Sequence, residues 1–294
     1  MNPWLRLLRP GNGAISFVGT VVGGLTASGI DLGRLPTELP DLVLAGITTF
    51  AVASGGNVLN DYLDREGDRT NHPDRPLPRG EVTPGAVRTY AAALLVLSAV
   101  PIVLLGLLGQ LPRPLLSLGG GLPWVVWGLA VGLLLSYELR WKARGLLGNL
   151  SVAALTGAVF LFGATIVGHA ALVLPLGAMA ALATLSREVI KDMEDAEGDV
   201  DRRTLPRAHG MGVAAMAARL AVACAIVLSP YPLVLWRPAL PLPAAIIYLA
   251  FVAAADLVFL VSVYTLPKQL HREQSLSKLA MVLALVGFLG AALR

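Results

Sequence analysis

Residues 91–100 read Ala91-Ala-Ala-Leu-Leu-Val-Leu-Ser-Ala-Val100, nine apolar side chains and one serine in an unbroken run. A strand of a membrane barrel would alternate apolar and polar residues, and this run does not. It reads as a helix surrounded by hydrocarbon. Outward from it the apolar stretch extends over 86–109, and comparable stretches fall at 12–30, 42–61, 118–138, 146–168, 171–194, 210–231, 240–265 and 275–293. At roughly 20 residues per crossing, the chain is expected to be all-α: a polytopic membrane protein forming a bundle of about nine transmembrane helices. The composition agrees, with 55% hydrophobic and only 14% charged residues and a mean hydropathy of +0.70. Soluble domains carry about a quarter charged residues.

The first stretch follows Arg6 and Arg9, as a leader peptide would, but it is Gly-rich, close to full spanning length and followed by eight more. It is read as the first span. The loops are too short to form a second domain, so residues 1–294 are read as one. Cys224, the only cysteine, falls inside a span, which excludes an intrachain disulfide and points to a small core residue. Trp124, Trp127, Trp141 and Trp236 lie near span ends and read as interfacial anchors. Asp256 lies within a span and is expected to face the bundle interior. His72, His169, His209 and His271 show no ligand spacing and are assigned no metal. No nucleic-acid-binding pattern appears, and the net charge of +4 is modest.

With spans counted in order, the N-terminus and every second loop share one side of the membrane. Of the 23 basic residues, 18 fall on that side, including Arg65, Arg75, Lys142, Arg187 and Arg203. Arg34, Arg113, Arg237 and Arg294 fall on the other, and Arg219 lies within a span. This asymmetry supports the span count and assigns the basic loops to the cytoplasm.

Two copies of one acidic phrase emerge on that side. They are Asp61-Tyr-Leu-Asp64-Arg-Glu-Gly67-Asp68 and Asp192-Met-Glu-Asp195-Ala-Glu-Gly198-Asp199, both D-x-x-D-x-E-G-D. They end the second and sixth spans. Their offset of 131 residues lays spans one to four over spans five to eight, which predicts two related four-helix halves plus one helix. At about 100° per residue, Asp61, Asp64 and Asp68 share one helix face, as do Asp192, Asp195 and Asp199. One turn earlier the same stripes carry Asn57 and Glu188. Gly67 and Gly198 are expected to cap the helix ends.

Stacked carboxylates at a helix C-terminus repel one another and oppose the macrodipole, so something positive must meet them. Hard oxygen ligands suit Mg²⁺, which completes its shell with water and phosphate oxygens. Arg75, Arg79, Lys142, Arg187, Lys191 and Arg203 lie close enough in the topology to reach a diphosphate, which planar Arg binds bidentately. The Pro- and Arg-rich loop Thr70–Gly80 should cap the site. A diphosphate head held at a membrane edge above an apolar bundle implies a lipid diphosphate substrate. One D-x-x-D alone is more often a solvated face, but two matched copies on one side favour a metal or phosphate site. Tyr137 reads equally as an interfacial aromatic or as a ring that steadies a cation. A transporter with paired acidic sites is the rival of another class, although transporter sites lie nearer the bilayer midplane.

The stretch Gly55-Gly-Asn57-Val-Leu-Asn60-Asp61-Tyr-Leu-Asp64-Arg-Glu-Gly-Asp68, followed by Arg75-Pro-Leu-Pro-Arg-Gly80, resembles the UbiA superfamily of intramembrane prenyltransferases. The resemblance extends to Arg9-Pro-Gly-Asn12 and to the segment Tyr137–Asn149. Within the superfamily, Lys191-Asp-Met-Glu-Asp-Ala-Glu-Gly-Asp199 is most similar to the archaeal digeranylgeranylglyceryl phosphate synthases. The resemblance implies Mg²⁺-assisted ionisation of an isoprenyl diphosphate and transfer of a geranylgeranyl group to a lipid acceptor, the free hydroxyl of geranylgeranylglyceryl phosphate. Relatives that prenylate aromatic acids keep an aromatic acceptor open. By the same carry-over Asn60, Asp64 and Asp68 belong to a first metal–diphosphate motif, with Asn57 beside it, and Asp192, Asp195 and Asp199 to a second.

Overall fold

The computed structural model describes residues 2–29, 35–108, 121–196, 203–236 and 240–292. Helix α1 (Pro3–Leu8) starts at Asn2, whose side chain accepts from the Trp4 amide at 2.9 Å. Then come α2 (Pro10–Ser28), α3 (Leu35–Leu63), the short α4 (Arg65–Asn71), α5 (Pro84–Leu97), α6 (Val100–Leu107) and α7 (Leu122–Ser136). A π-helical turn, Tyr137–Trp141, continues α7. The second half contains α8 (Leu146–Val167), α9 (Leu174–Glu194), the short α10 (Leu205–His209), α11 (Met211–Leu228), α12 (Tyr231–Leu235) and α13 (Leu242–Tyr264), and α14 (Leu270–Ala291) follows. No strand occurs among the described residues.

Eight described helical segments, from Thr37–Leu63 to Leu270–Ala291, are long and apolar enough to cross a membrane. The remaining expected span is α2, whose 19 residues reach about 28 Å. Its glycines, threonines and serines keep it out of that apolar group. They also let it pack closely. A Cβ on Gly23 would fall 2.2 Å from the Phe160 carbonyl oxygen, and one on Gly163 would fall 1.9 Å from that of Thr20. Backbones of α2 and α8 therefore touch at a crossing where neither helix can carry a side chain.

Packing repeats between the halves. Helix α3 lies on α2 and on α5, as α9 lies on α8 and on α11, while α2 and α8 meet between the halves. The last helix, α14, packs on α13, α9 and α2. Large apolar side chains such as Leu107, Leu129, Val227 and Leu257 point outward, as a lipid-facing surface requires.

Two local expectations change. Cys224 is exposed rather than in the core, because α11 turns its Ala214, Ala218, Val222 and Ala225 face inward. Trp236 is buried rather than interfacial; its indole N–H donates to the Leu172 carbonyl at 3.2 Å and its ring packs edge-on against Tyr248. Asp256 accepts from the Ser229 hydroxyl at 2.7 Å, beside the break between α11 and α12.

Candidate functional site

The first acidic phrase spans the junction of α3 and α4. Backbone hydrogen bonds from Asp64 N to Asn60 O and from Asp68 N to Asp64 O, both 2.9 Å, carry the i→i+4 pattern through it. Gly67 does not cap a helix: it lies inside α4. The chain bends three residues earlier, at Asp64, which takes the bridge-region backbone (φ −84°, ψ 1°) that starts the next helix. Asp61 and Asp68 are buried, and Asp64 is partly open.

Each of these carboxylates meets a cation. Arg9 pairs with Asp61. Arg75 reaches back from the loop to Asp68 at 2.5 Å and to Asp61 at 3.5 Å. Lys142, beyond the π turn, pairs with Asp64 and lies 3.6 Å from Glu138. Arg9 is the one non-glycine at positive φ (48°) among the described residues. That left-handed conformation costs about 1–2 kcal/mol. It is held by the break between α1 and α2, by Pro10 and by the Asp61 contact.

The amides have defined partners as well. Asn57 donates to the Leu8 carbonyl at 3.1 Å and accepts from Asn12 at 3.4 Å, tying α3 to the α1–α2 junction that carries Arg9. Asn60 donates to both carboxylate oxygens of Glu138, at 3.3 and 3.1 Å. Arg79 turns instead to Glu81 at 3.1 Å, where Arg6 also pairs at 3.1 Å, so it stands apart from the acidic phrase.

In the second phrase, Asp192 on α9 accepts from Asn149 on α8 at 2.8 Å. Asp195 follows the last residue of α9 and is exposed. Asp199 and Gly198 lie outside the described residues. Arg187 is taken up by Glu188 at 2.7 Å, and Lys191 is exposed.

The segment between α7 and α8 links the two phrases. Tyr137 opens its π turn, half-buried, and its carbonyl accepts from Lys142 N at 2.9 Å. Lys142 then meets the first phrase and Asn149 the second. Between them Ala143 O accepts from Arg203 N at 3.3 Å. Gly145 has φ +53°, and a Cβ there would fall 2.5 Å from the Arg203 carbonyl oxygen. The π turn after α7 and the first turn of α8 thus contact one acidic phrase each, Lys142 meeting Asp64 and Asn149 meeting Asp192.

Three participants lay outside the residues singled out for the site: Arg9, Glu138 and Asn149. All three lie in segments that carry the family resemblance, Arg9 at the start of Arg9–Asn12 and the other two within Tyr137–Asn149, and Glu138 also has i,i+4 spacing to Lys142. Among the described residues no three His, Cys, Asp or Glu side chains close on one point as a ready-made metal cage. The donors are hard oxygens, few for any one ion, with positive side chains on the carboxylates. That set fits a cation that keeps several waters and takes part of its shell from phosphate, as Mg²⁺ does.

The chain is thus an apolar helical bundle of the membrane-embedded class, with carboxylates paired to basic side chains at one end. Residues 16–286 match the UbiA prenyltransferase family; the chain belongs to that family and is a membrane-embedded prenyltransferase. It is 34% identical over 308 residues to the digeranylgeranylglyceryl phosphate synthase of Methanopyrus kandleri, an alignment covering 100% of both chains. Among solved structures it is similar to one of a digeranylgeranylglyceryl phosphate synthase in membranes, with a TM-score of 0.77 and 27% identity over 99% of this chain and 98% of that one. A UbiA homolog from Archaeoglobus fulgidus, bound to GPP and Mg²⁺, shares the fold at 15% identity, with a TM-score of 0.63 over 97% of this chain and 99% of that one.

Proposed function

We propose that the chain transfers a geranylgeranyl group from geranylgeranyl diphosphate to the free hydroxyl of geranylgeranylglyceryl phosphate, at the cytoplasmic face of the cell membrane. The observation that carries the donor half is the pairing of Asp61, Asp64 and Asp68 with Arg9, Arg75 and Lys142 at one end of an apolar bundle. The names of full-length relatives support the acceptor.

Asn60, Asp61, Asp64 and Asp68 would hold Mg²⁺ from one side, and Asp192, Asp195 and Asp199 from the other. Bound Mg²⁺ supplies charge neutralisation for the leaving diphosphate. Arg75 and Lys142 would donate to its oxygens, as would Arg187 and Lys191 from the side of the second phrase. The donor C1–O bond breaks, the acceptor oxygen bonds to C1, and its proton passes to diphosphate or to a carboxylate of the basin. The bundle would exclude water from the allylic cation, and the ring of Tyr137, which opens the turn leading to Lys142, would steady it.

The test is incubation of purified protein with geranylgeranyl diphosphate, Mg²⁺ and a panel of acceptors, followed by mass detection. The expected product is the doubly geranylgeranylated glyceryl phosphate. Transfer only to a hydroxybenzoate or homogentisate would replace the acceptor. Solute flux in proteoliposomes without any diphosphate release would replace the function.

A further inference from the structure

Glu138 is the most buried carboxylate beside Lys142, with 7% of its side chain exposed. Its neighbour Leu139 is 62% exposed. The π turn directs Glu138 into the bundle, and such turns recur at functional sites. Two partners meet it there: Asn60 from α3, through both oxygens, and Lys142.

Both partners belong to the proposed Mg²⁺–diphosphate basin, and Glu138 constrains each. A carboxylate only accepts hydrogen bonds, so it fixes the Asn60 amide with its NH₂ toward Glu138. The amide oxygen, the only side-chain atom of Asn60 able to ligate a cation, is thereby turned away from Glu138. Lys142 is shared between Asp64 and Glu138. If Asp64 is given up to a metal, Glu138 still holds the ammonium in the basin.

We propose that Glu138 is a positioning residue that presents the Asn60 oxygen to the metal and keeps Lys142 beside it, a role that rests on the Mg²⁺–diphosphate reading above. Its test exploits the one-way chemistry of the Asn60 contact. The full-length protein in nanodiscs is titrated with Mn²⁺ in the presence of inorganic diphosphate, and bound metal is followed by electron paramagnetic resonance.

E138Q is expected to weaken Mn²⁺ binding about 10-fold to 100-fold, the usual range for loss of an outer-shell partner. N60D is expected to weaken it as well, although it adds a negative charge, because two carboxylates then oppose each other. Combining E138Q with N60D swaps donor and acceptor and is expected to recover most of the lost affinity. Tighter Mn²⁺ binding by N60D, or losses that add in the double variant, would overturn the proposal. So would parental affinity in folded E138Q; if E138Q does not fold, N60D and the double variant still decide. Failure of the parent to bind Mn²⁺ at all would instead remove the Mg²⁺–diphosphate reading, and this role with it.

Discussion

Arg75 contacts two buried carboxylates from one guanidinium, 2.5 Å from Asp68 and 3.5 Å from Asp61. Both contacts are made by Nη1, which leaves Nε and Nη2 to face a diphosphate, whereas in R75K a single nitrogen must serve the carboxylates and the diphosphate together. We expect kcat/KM for the isoprenyl diphosphate to fall about 10-fold to 100-fold, equivalent to about 1.4–2.7 kcal/mol, in steady-state kinetics at saturating acceptor. Retention within twofold would mean that the fork is not used. Asp61, Asp64, Asp68, Arg75 and Lys142 were legible in the sequence because helical phase and loop position bring them together. Arg9 was visible as part of the resembling Arg9–Asn12 motif, but its partner was not, because its reach to Asp61 depends on a left-handed residue between two helices, 52 positions away in sequence. The partner of Asn149 was not legible for a related reason: one amide in an apolar span gains meaning only from the neighbouring helix that supplies Asp192.

The membrane helices follow apolar run length closely, as when 146–168 becomes Leu146–Val167 and 240–265 becomes Leu242–Tyr264. Run length carries no information about internal breaks. The stretch over 86–109 divides at Ser98–Ala99 into α5 and α6, and the stretch starting at 210 divides at Ser229–Pro230 into α11 and α12. It also leaves the facing of each helix open, which is why Cys224 changes sides. Close packing between α2 and α8 depends on Gly163, whose substitution by alanine would set a methyl against the Thr20 carbonyl. G163A is expected to destabilise by about 1–3 kcal/mol, as overpacking does, measured as a lowered thermal midpoint in one detergent. G128A on α7 has nothing within 4 Å of the added methyl and is the control. Alanine's better helix propensity makes it neutral or stabilising. Equal midpoints for the two variants would show that the α2–α8 crossing is not a close contact.

At one end of the bundle the carboxylates of the first acidic phrase are each paired with a basic side chain: Asp61 with Arg9, Asp68 with Arg75 and Asp64 with Lys142. This sets how the protein should respond to its ligands. Mg²⁺ alone must compete with Arg9, Arg75 and Lys142 for Asp61, Asp64 and Asp68. Diphosphate alone approaches basic groups already committed to carboxylates and meets the repulsion of those carboxylates. Added together, they allow an exchange of partners: metal to carboxylate, guanidinium and ammonium to phosphate. Thermal stabilisation should therefore be strongly synergistic. With both ligands at 100 times their joint dissociation constant, linkage gives about 2.7 kcal/mol, whereas each alone should move the melting midpoint little. The measurement is a melting series on detergent-purified protein with Mg²⁺, with inorganic diphosphate, and with both, repeated with D64A. In the parent protein the midpoint should rise only in the combined sample, and in D64A the rise should shrink, because one proposed metal donor and the partner of Lys142 are both lost. A full rise with Mg²⁺ alone would mean that the carboxylates are a free-standing metal site, independent of the basic residues that cover them.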